Sequence, residues 1–175
     1  MTPMPPPTAA GEGRAIVESN DDFEFEYSWP GEANSIPALA SVLQSRADTA
    51  RTELVEAARE DRAAAAEAGY PFRPHSFSGE WKVVADVPGW LSLSGTVSTY
   101  AGGAHRNAGF DSLRGDKSAG VAREPLDLFR SPQNFQNAIA RRFCTMLDAE
   151  RAERRGEPVD PDADDYFSAC PGVEE

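Results

Sequence analysis

Two alternating runs placed back to back constrain this chain more than any other feature. Trp81, Val83, Ala85 and Val87 alternate with Lys82, Val84 and Asp86; Pro88 and Gly89 follow; then Leu91, Leu93, Gly95 and Val97 alternate with Ser92, Ser94, Thr96 and Ser98. A period of two sends successive side chains to opposite faces of an extended chain. The Pro-Gly turn between the runs folds them into an antiparallel pair of strands. The serine-rich face of the second run reads as solvent-exposed, with a ligand-contacting role as the less frequent alternative.

The same period appears earlier, where Phe23, Phe25 and Tyr27 alternate with Glu24, Glu26 and Ser28 in a half-buried strand that ends at Trp29-Pro30-Gly31. The period then changes. Ser35 as N-cap and Pro37 open a helix in which Ile36, Leu39, Leu43, Ala47, Ala50, Leu54 and Ala57 recur at spacings of three and four. This predicts a long amphipathic helix from about Pro37 to Ala68, with Gly69 as terminator. Arg46, Asp48, Arg51, Glu53, Glu56, Arg59, Glu60 and Arg62 read as its solvated face, pairing at i,i+3 and i,i+4. Tyr70-Pro71-Phe72-Arg73-Pro74 is a stiff connector, since each proline holds its predecessor extended.

Beyond the hairpin, His105 to Leu113 predicts a third strand with Phe110 as an apolar anchor, Arg114 to Lys117 a turn, and Val121 to Leu126 a short fourth strand. Ser131-Pro132 repeats the cap-plus-proline start, and Phe135, Ile139, Phe143 and Leu147 define a second helix to about Arg154. From Arg155 the chain is acidic and proline-containing. It reads as a loop or acidic hairpin, with Tyr166 and Phe167 as the point of reattachment. Residues 1–21 read as a disordered leader or linker, apart from a short strand at Ala15 to Val17. Its Met-Thr-Pro-Met-Pro-Pro-Pro start suits a tether left after removal of a signal peptide or lipoprotein leader. Residues 22–175 are read as one α+β domain: an antiparallel β-sheet packed by one long N-terminal helix and a second C-terminal helix.

The charge balance narrows the partners. Lys and Arg number 17 against 29 Asp and Glu, for a net charge of −12. Such a surface repels phosphate backbones and anionic lipid, which argues for no nucleic acid among the partners, and attracts basic proteins, although the more frequent reason for acidity is simply that it keeps a protein soluble. No apolar run approaches the length of a membrane-spanning helix. Cys144 and Cys170 are read as a disulfide closing a loop of about 25 residues, worth about 3 kcal/mol in the chain-entropy model; the alternative is two unpaired thiols.

Tyr100-Ala101-Gly102-Gly103-Ala104-His105 ends the second alternating run, and Pro125-Leu126-Asp127-Leu128-Phe129 follows about two dozen residues later. Read alone, the first is a glycine turn, in which Gly102 and Gly103 adopt positive φ or admit a neighbouring backbone. Taken with the aromatic-acidic strand at Phe23 to Tyr27, the long helix and Leu126 to Phe129 leading into a helix, the run from Ser98 to His105 resembles the PdaC/RsiV type of extracytoplasmic domain. Such domains occur beside a peptidoglycan deacetylase domain and as the outer domain of a lysozyme-sensing anti-sigma factor. The resemblance covers most of Asp22 to Leu147. It implies an exported α+β domain, often a lipoprotein, that binds in the periplasm or on the extracytoplasmic face of the cell envelope without itself catalysing a reaction. It also implies further strand-forming sequence after the second helix, where this chain carries an acidic stretch, so the domain is read as lacking its C-terminal strands.

Chemistry in the residues themselves is sparse. His75 and His105 are the only histidines, and a metal site would need Asp86, Asp111 or Asp116 to complete it, with no helical histidine spacing. His105 reads as a hydrogen-bond donor that fixes the glycine turn. No Gly-x-Ser-x-Gly elbow exists, and Cys144 lies in a helix without a matched histidine. Asp160 to Asp165 lacks the glycine and terminal glutamate of a calcium loop and reads as a solvated acidic loop. The expectation is therefore a module that is no enzyme and needs no cofactor or metal. It binds lysozyme-like basic protein or peptidoglycan through Tyr100, Gly102, Gly103 and His105. The rival classes are a glycan deacetylase or hydrolase using His105 with an aspartate, and an accessory folding domain.

Overall fold

The computed structural model describes residues 11–160 and 168–171, and the chain divides into two compact units, Met1–Glu124 and Pro125–Glu175. In the first unit six strands, β1 (Arg14–Ser19), β2 (Phe23–Trp29), β3 (His75–Val87), β4 (Trp90–Tyr100), β5 (Asn107–Asp116) and β6 (Val121–Arg123), lie side by side in chain order. A four-residue helix α1 (Gly31–Asn34) and the long helix α2 (Pro37–Ala68) are inserted between β2 and β3. The α+β class and the long helix are as the sequence reads them. The sheet, however, is mixed: β2 and β3 run parallel, in the register Phe23↔His75 to Ser28↔Glu80, while every other pair is antiparallel. A parallel neighbour needs a crossover of a dozen or more residues, and α2 is that crossover.

The core lies between α2 and one face of the sheet. Phe23, Phe25, Tyr27 and Trp29 are buried while Glu24 and Glu26 are exposed, as the alternation requires. From α2 come Leu39, Leu43, Ala47, Leu54 and Ala58, and from the hairpin Trp81, Leu91 and Leu93, with Leu113 from β5. Burying each such aliphatic or aromatic side chain is worth roughly 1.5–3 kcal/mol. Phe25 and Phe77 stack across the β2–β3 pair with centroids 5.5 Å apart. The Trp81 indole N–H donates to the Tyr27 hydroxyl at 2.7 Å, so two polar groups enter the core already matched. Room for the two rings comes from glycines opposite them. A Cβ at Gly95 would lie 3.0 Å from three Trp81 ring atoms, and one at Gly79 would lie 2.7 Å from the Tyr27 ring.

The charged residues read as the solvated face of α2 are exposed apart from Arg46, which is half-buried, but three of the arginines find their partners on the sheet side and not along the helix. Arg46 pairs with Asp111 on β5 and with Glu124 at 2.8 Å, and lies over the Trp81 ring at 5.6 Å. Arg51 donates to both oxygens of Glu18 on β1, at 2.5 and 2.8 Å, and Arg62 pairs with Asp22. The Arg51 guanidinium holds the Glu18 carboxyl below its ordinary range, chiefly through that hydrogen bond. These arginines have long stems that lie along the flanks of the helix and carry their heads to the sheet.

Other readings change in detail. Arg14–Ser19 pair with Trp29 to Glu24 as a six-residue strand, longer than the Ala15 to Val17 expected and inside the span read as a disordered leader. Ser35 is not the N-cap of α2: its hydroxyl donates to the Glu32 carbonyl at 2.6 Å, and α2 begins after Ile36 without a side-chain cap. Arg114 to Asp116 continue β5, and the turn falls after Lys117, with Gly120 at φ +68°. Phe110 is no anchor. It is 84% exposed, because residues 107–111 of β5 are exposed on both faces of the strand and burial begins only at Leu113 and Gly115.

In the second unit α3 (Pro132–Arg155) starts as expected, with Ser131 Oγ accepting from the Asn134 N–H at 3.2 Å, and stops at Gly156 in the left-handed region. None of its residues is fully buried, and Phe143 is exposed. Cys144 and Cys170 are disulfide-bonded, with Cα atoms 5.6 Å apart. Arg151 reinforces the link by donating to the carbonyls of Ser168 and Ala169, each at 3.0 Å. Residues 161–167, which include most of the acidic run together with Tyr166 and Phe167, lie outside the described residues. Among the described residues no helix is long and apolar enough to cross a membrane.

Candidate functional site

The glycine turn after β4 forms one wall of a cleft of about 510 Å³. Ala101, Gly102, Gly103 and Ala104 supply that wall; the other is made by Asp61 from α2, the connector Tyr70 to Arg73, and His75 at the start of β3. Gly102 has φ +73° and sits against Arg73, where an added Cβ would be 3.7 Å from that of Arg73. This is a conformation that glycine adopts without strain. Gly103 has no such requirement, and the space beside it is open.

His75 is the buried polar centre of the site, 2% exposed. Its Nε2 lies 3.0 Å from Asp61 Oδ2, its ring stacks on Phe72 at 5.7 Å, and the Arg62 guanidinium lies over Phe72 at 4.8 Å. The His75 backbone N–H donates to the Asp22 carbonyl at 3.0 Å. Asp61, in contrast, is largely open to solvent. The cleft thus offers a carboxylate at its rim, aromatic and proline surface with Arg73 on one side, and a wall of glycine and alanine on the other. A second, larger groove of about 640 Å³ is lined only by side chains along α2, from Ser41 to Glu53. A single helix face offers no convergent wall, so the smaller cleft is the better-formed site.

Of the residues singled out in the sequence, Gly102 and Gly103 line this cleft, whereas Tyr100 and His105 flank it. Tyr100 ends β4 and carries the Arg106 guanidinium at 5.8 Å from its ring, and Arg106 also donates to Ser76 Oγ at 3.1 Å. His105 is exposed and makes no side-chain hydrogen bond among the described residues. It makes no bond that would fix the turn, and the neighbouring Arg106 instead ties the end of β4 to Ser76 on β3. His75 and Asp61 were not identified as a pair from sequence, because the register that joins them is set by the α2 crossover. The prolines at 71 and 74 were the one local signal, since they hold the connector extended against the loop. Among the described residues no three His, Cys, Asp or Glu side chains gather as a metal-binding group, and His75 with Asp61 is only a pair.

A family model described as Deacetylase PdaC matches residues 16–108, more than half of the chain. The chain belongs to the PdaC family. The matched segment of this PdaC domain runs from β1 into β5 and includes both walls of the cleft. Among curated proteins none matches it. Among solved structures it is similar to a DUF3298 family protein from Pseudomonas aeruginosa PAO1, at 12% identity and TM-score 0.43, covering 82% of this chain and 67% of that one. It is also similar to a DUF3298 family member from Bacteroides fragilis, at 14% identity and TM-score 0.41, covering 85% of this chain and 71% of the other.

Proposed function

We propose that this chain is a non-catalytic recognition module of the cell envelope, which contacts a basic protein such as lysozyme, or peptidoglycan, at the cleft beside Gly102 and Gly103. The observation that carries the reading is the make-up of that cleft. Two glycines flanked by two alanines on one wall let a ligand approach closely, and the opposite wall provides apolar contact at Tyr70 and Phe72, with the Asp61 carboxylate as an anionic contact point and Arg73 as a cationic one. The net charge of −12 adds long-range attraction for a cationic partner. An extracytoplasmic location goes with this reading: domains of the family are generally extracytoplasmic, and a disulfide persists in an oxidising compartment.

The test is direct binding to lysozyme and to purified peptidoglycan at two ionic strengths. Lysozyme binding is expected to weaken with salt and peptidoglycan binding to change less. Ala104→Trp fills the cleft without altering the Gly102 backbone and is expected to weaken binding about tenfold, or 1.4 kcal/mol. Absence of binding to both ligands removes this reading. The family's description favours a second one, deacetylation or hydrolysis of a glycan. Metal analysis and an activity screen, with His75→Ala and His105→Ala for comparison, separate the two.

A further inference from the structure

His75 is a buried titratable side chain held from several sides. It opens β3 opposite Phe23, and its backbone N–H donates to the Asp22 carbonyl at 3.0 Å. Phe72 covers the imidazole at 5.7 Å. With the residue clamped at 2% exposure, Nε2 meets Asp61 Oδ2 on α2 at 3.0 Å. Asp61 itself keeps 58% of its side chain exposed and lines the cleft. A fixed imidazole thus orients a carboxylate that a ligand can still reach.

That engagement decides which cation the carboxylate suits. A guanidinium pairs best as a fork, with one N–H to each carboxylate oxygen, and one oxygen of Asp61 is already committed to His75. An ammonium is a point charge and needs only the other. The surrounding wall fits the rest of a lysine: Tyr70, 55% exposed, and Phe72 offer apolar surface to its carbon stem. Gly102 and Gly103 on the opposite wall leave room for it. The net charge of −12 draws a basic protein in preference to a neutral glycan.

We propose that Asp61, positioned by His75, receives a lysine ammonium of a basic protein, and that protonation of His75 releases it. This rests on the cleft being the recognition surface. A neutral imidazole donates its N–H to Asp61 and leaves the carboxylate its charge, whereas an imidazolium cancels that charge and repels the ammonium. The other ionisable groups facing His75 are Arg62 on α2, itself paired with Asp22, Tyr70 and Arg73 on the connector, and Arg106, which donates to the adjacent Ser76. None is a histidine, the side chain type that changes charge between about pH 5 and 8. The turn after β4 adds only the exposed His105, and the chain has no third histidine.

The experiment compares binding of the whole chain to lysozyme and to lysozyme whose lysines have been converted to homoarginine, which keeps every charge but replaces each ammonium by a guanidinium. Affinity is expected to fall about tenfold on that conversion and about tenfold with Asp61→Asn, the two losses not adding. Toward unmodified lysozyme, wild type and His105→Ala are expected to bind about tenfold more weakly at about pH 5.5 than at about pH 7.5. Asp61→Asn and His75→Gln, which keeps an N–H donor without titrating, are expected to lose that difference. Titration of lysozyme itself is common to all these chains and cancels between them. Asp61 is exposed, so its variant carries the test even where His75→Gln does not fold. Equal binding of the homoarginine form, wild-type affinity in Asp61→Asn, or an unchanged pH profile in that variant overturns this proposal alone, the cleft remaining a recognition surface where Ala104→Trp still weakens binding. Binding of peptidoglycan without lysozyme has the same consequence. Failure to bind either ligand removes the reading of the cleft and the proposal together.

Discussion

Tyr27 joins the core's packing to a buried side-chain hydrogen bond, the one it accepts from Trp81. Burial raises the pKa of its hydroxyl above 10.0, against a smaller opposing effect of the Trp81 hydrogen bond. The folded chain therefore holds the Tyr27 proton more tightly than the unfolded chain does. Stability from this group is complete below pH 10 and falls as pH rises through the folded value. Urea titrations at rising alkaline pH are expected to show a steeper loss in wild type than in Tyr27→Phe. At Gly95 the constraint is steric: Gly95→Ala presses a methyl group against the Trp81 ring at 3.0 Å. A cost of about 1–3 kcal/mol is expected, as for other overpacked cores, measured as a shift in the denaturation midpoint at constant slope. In the sequence Gly95 reads as one member of the alternating run. That it makes room for a ring is a matter of cross-strand register, which no local spacing encodes.

Among the elements, α2 shows where sequence periodicity suffices and where it stops. Leucine and alanine spacing placed the helix at Pro37 to Ala68, and the same rule gave the hairpin and α3, because each is a local pattern over contiguous residues. The parallel β2–β3 pair was not legible, nor was the His75–Asp61 contact that depends on it. Both follow from where a 32-residue helix returns the chain. The partners of the α2 arginines are not legible in the sequence for the same reason. Helix spacing shows which residues share a face, but not that a guanidinium at the border of that face meets Asp111 or Glu18. Arg46→Met keeps the stem over Trp81 and leaves Asp111 without its cation. Because both groups are partly exposed, the expected loss is about 1 kcal/mol or less, and it should shrink in high salt when measured by thermal melting.

On the scale of the whole molecule, α3 buries none of its residues fully, so its unit relies on the Cys144–Cys170 bond more than a well-packed domain would. Reduction, or a paired Cys144→Ser and Cys170→Ser change, is expected to cost about 3 kcal/mol. Hydrogen exchange should report the loss in residues 132–155, with the amides of β3 and β4 unchanged. The cleft is half visible in the sequence: the glycine wall announces itself by composition, and the opposite wall does not, because only the fold of the connector against the end of α2 brings His75 beside Asp61.

The parallel pairing of β2 with β3 also orders events in time. Strands β3, β4 and β5 meet through short turns, whereas β2 meets β3 only after about fifty intervening residues have been looped, and long closures are entropically slow. During refolding, amides of Leu93 and Leu113 are expected to gain protection from exchange before those of Phe25 and Tyr27. The aromatic strand would then be the last to arrive, docking onto a meander and a helix already in place.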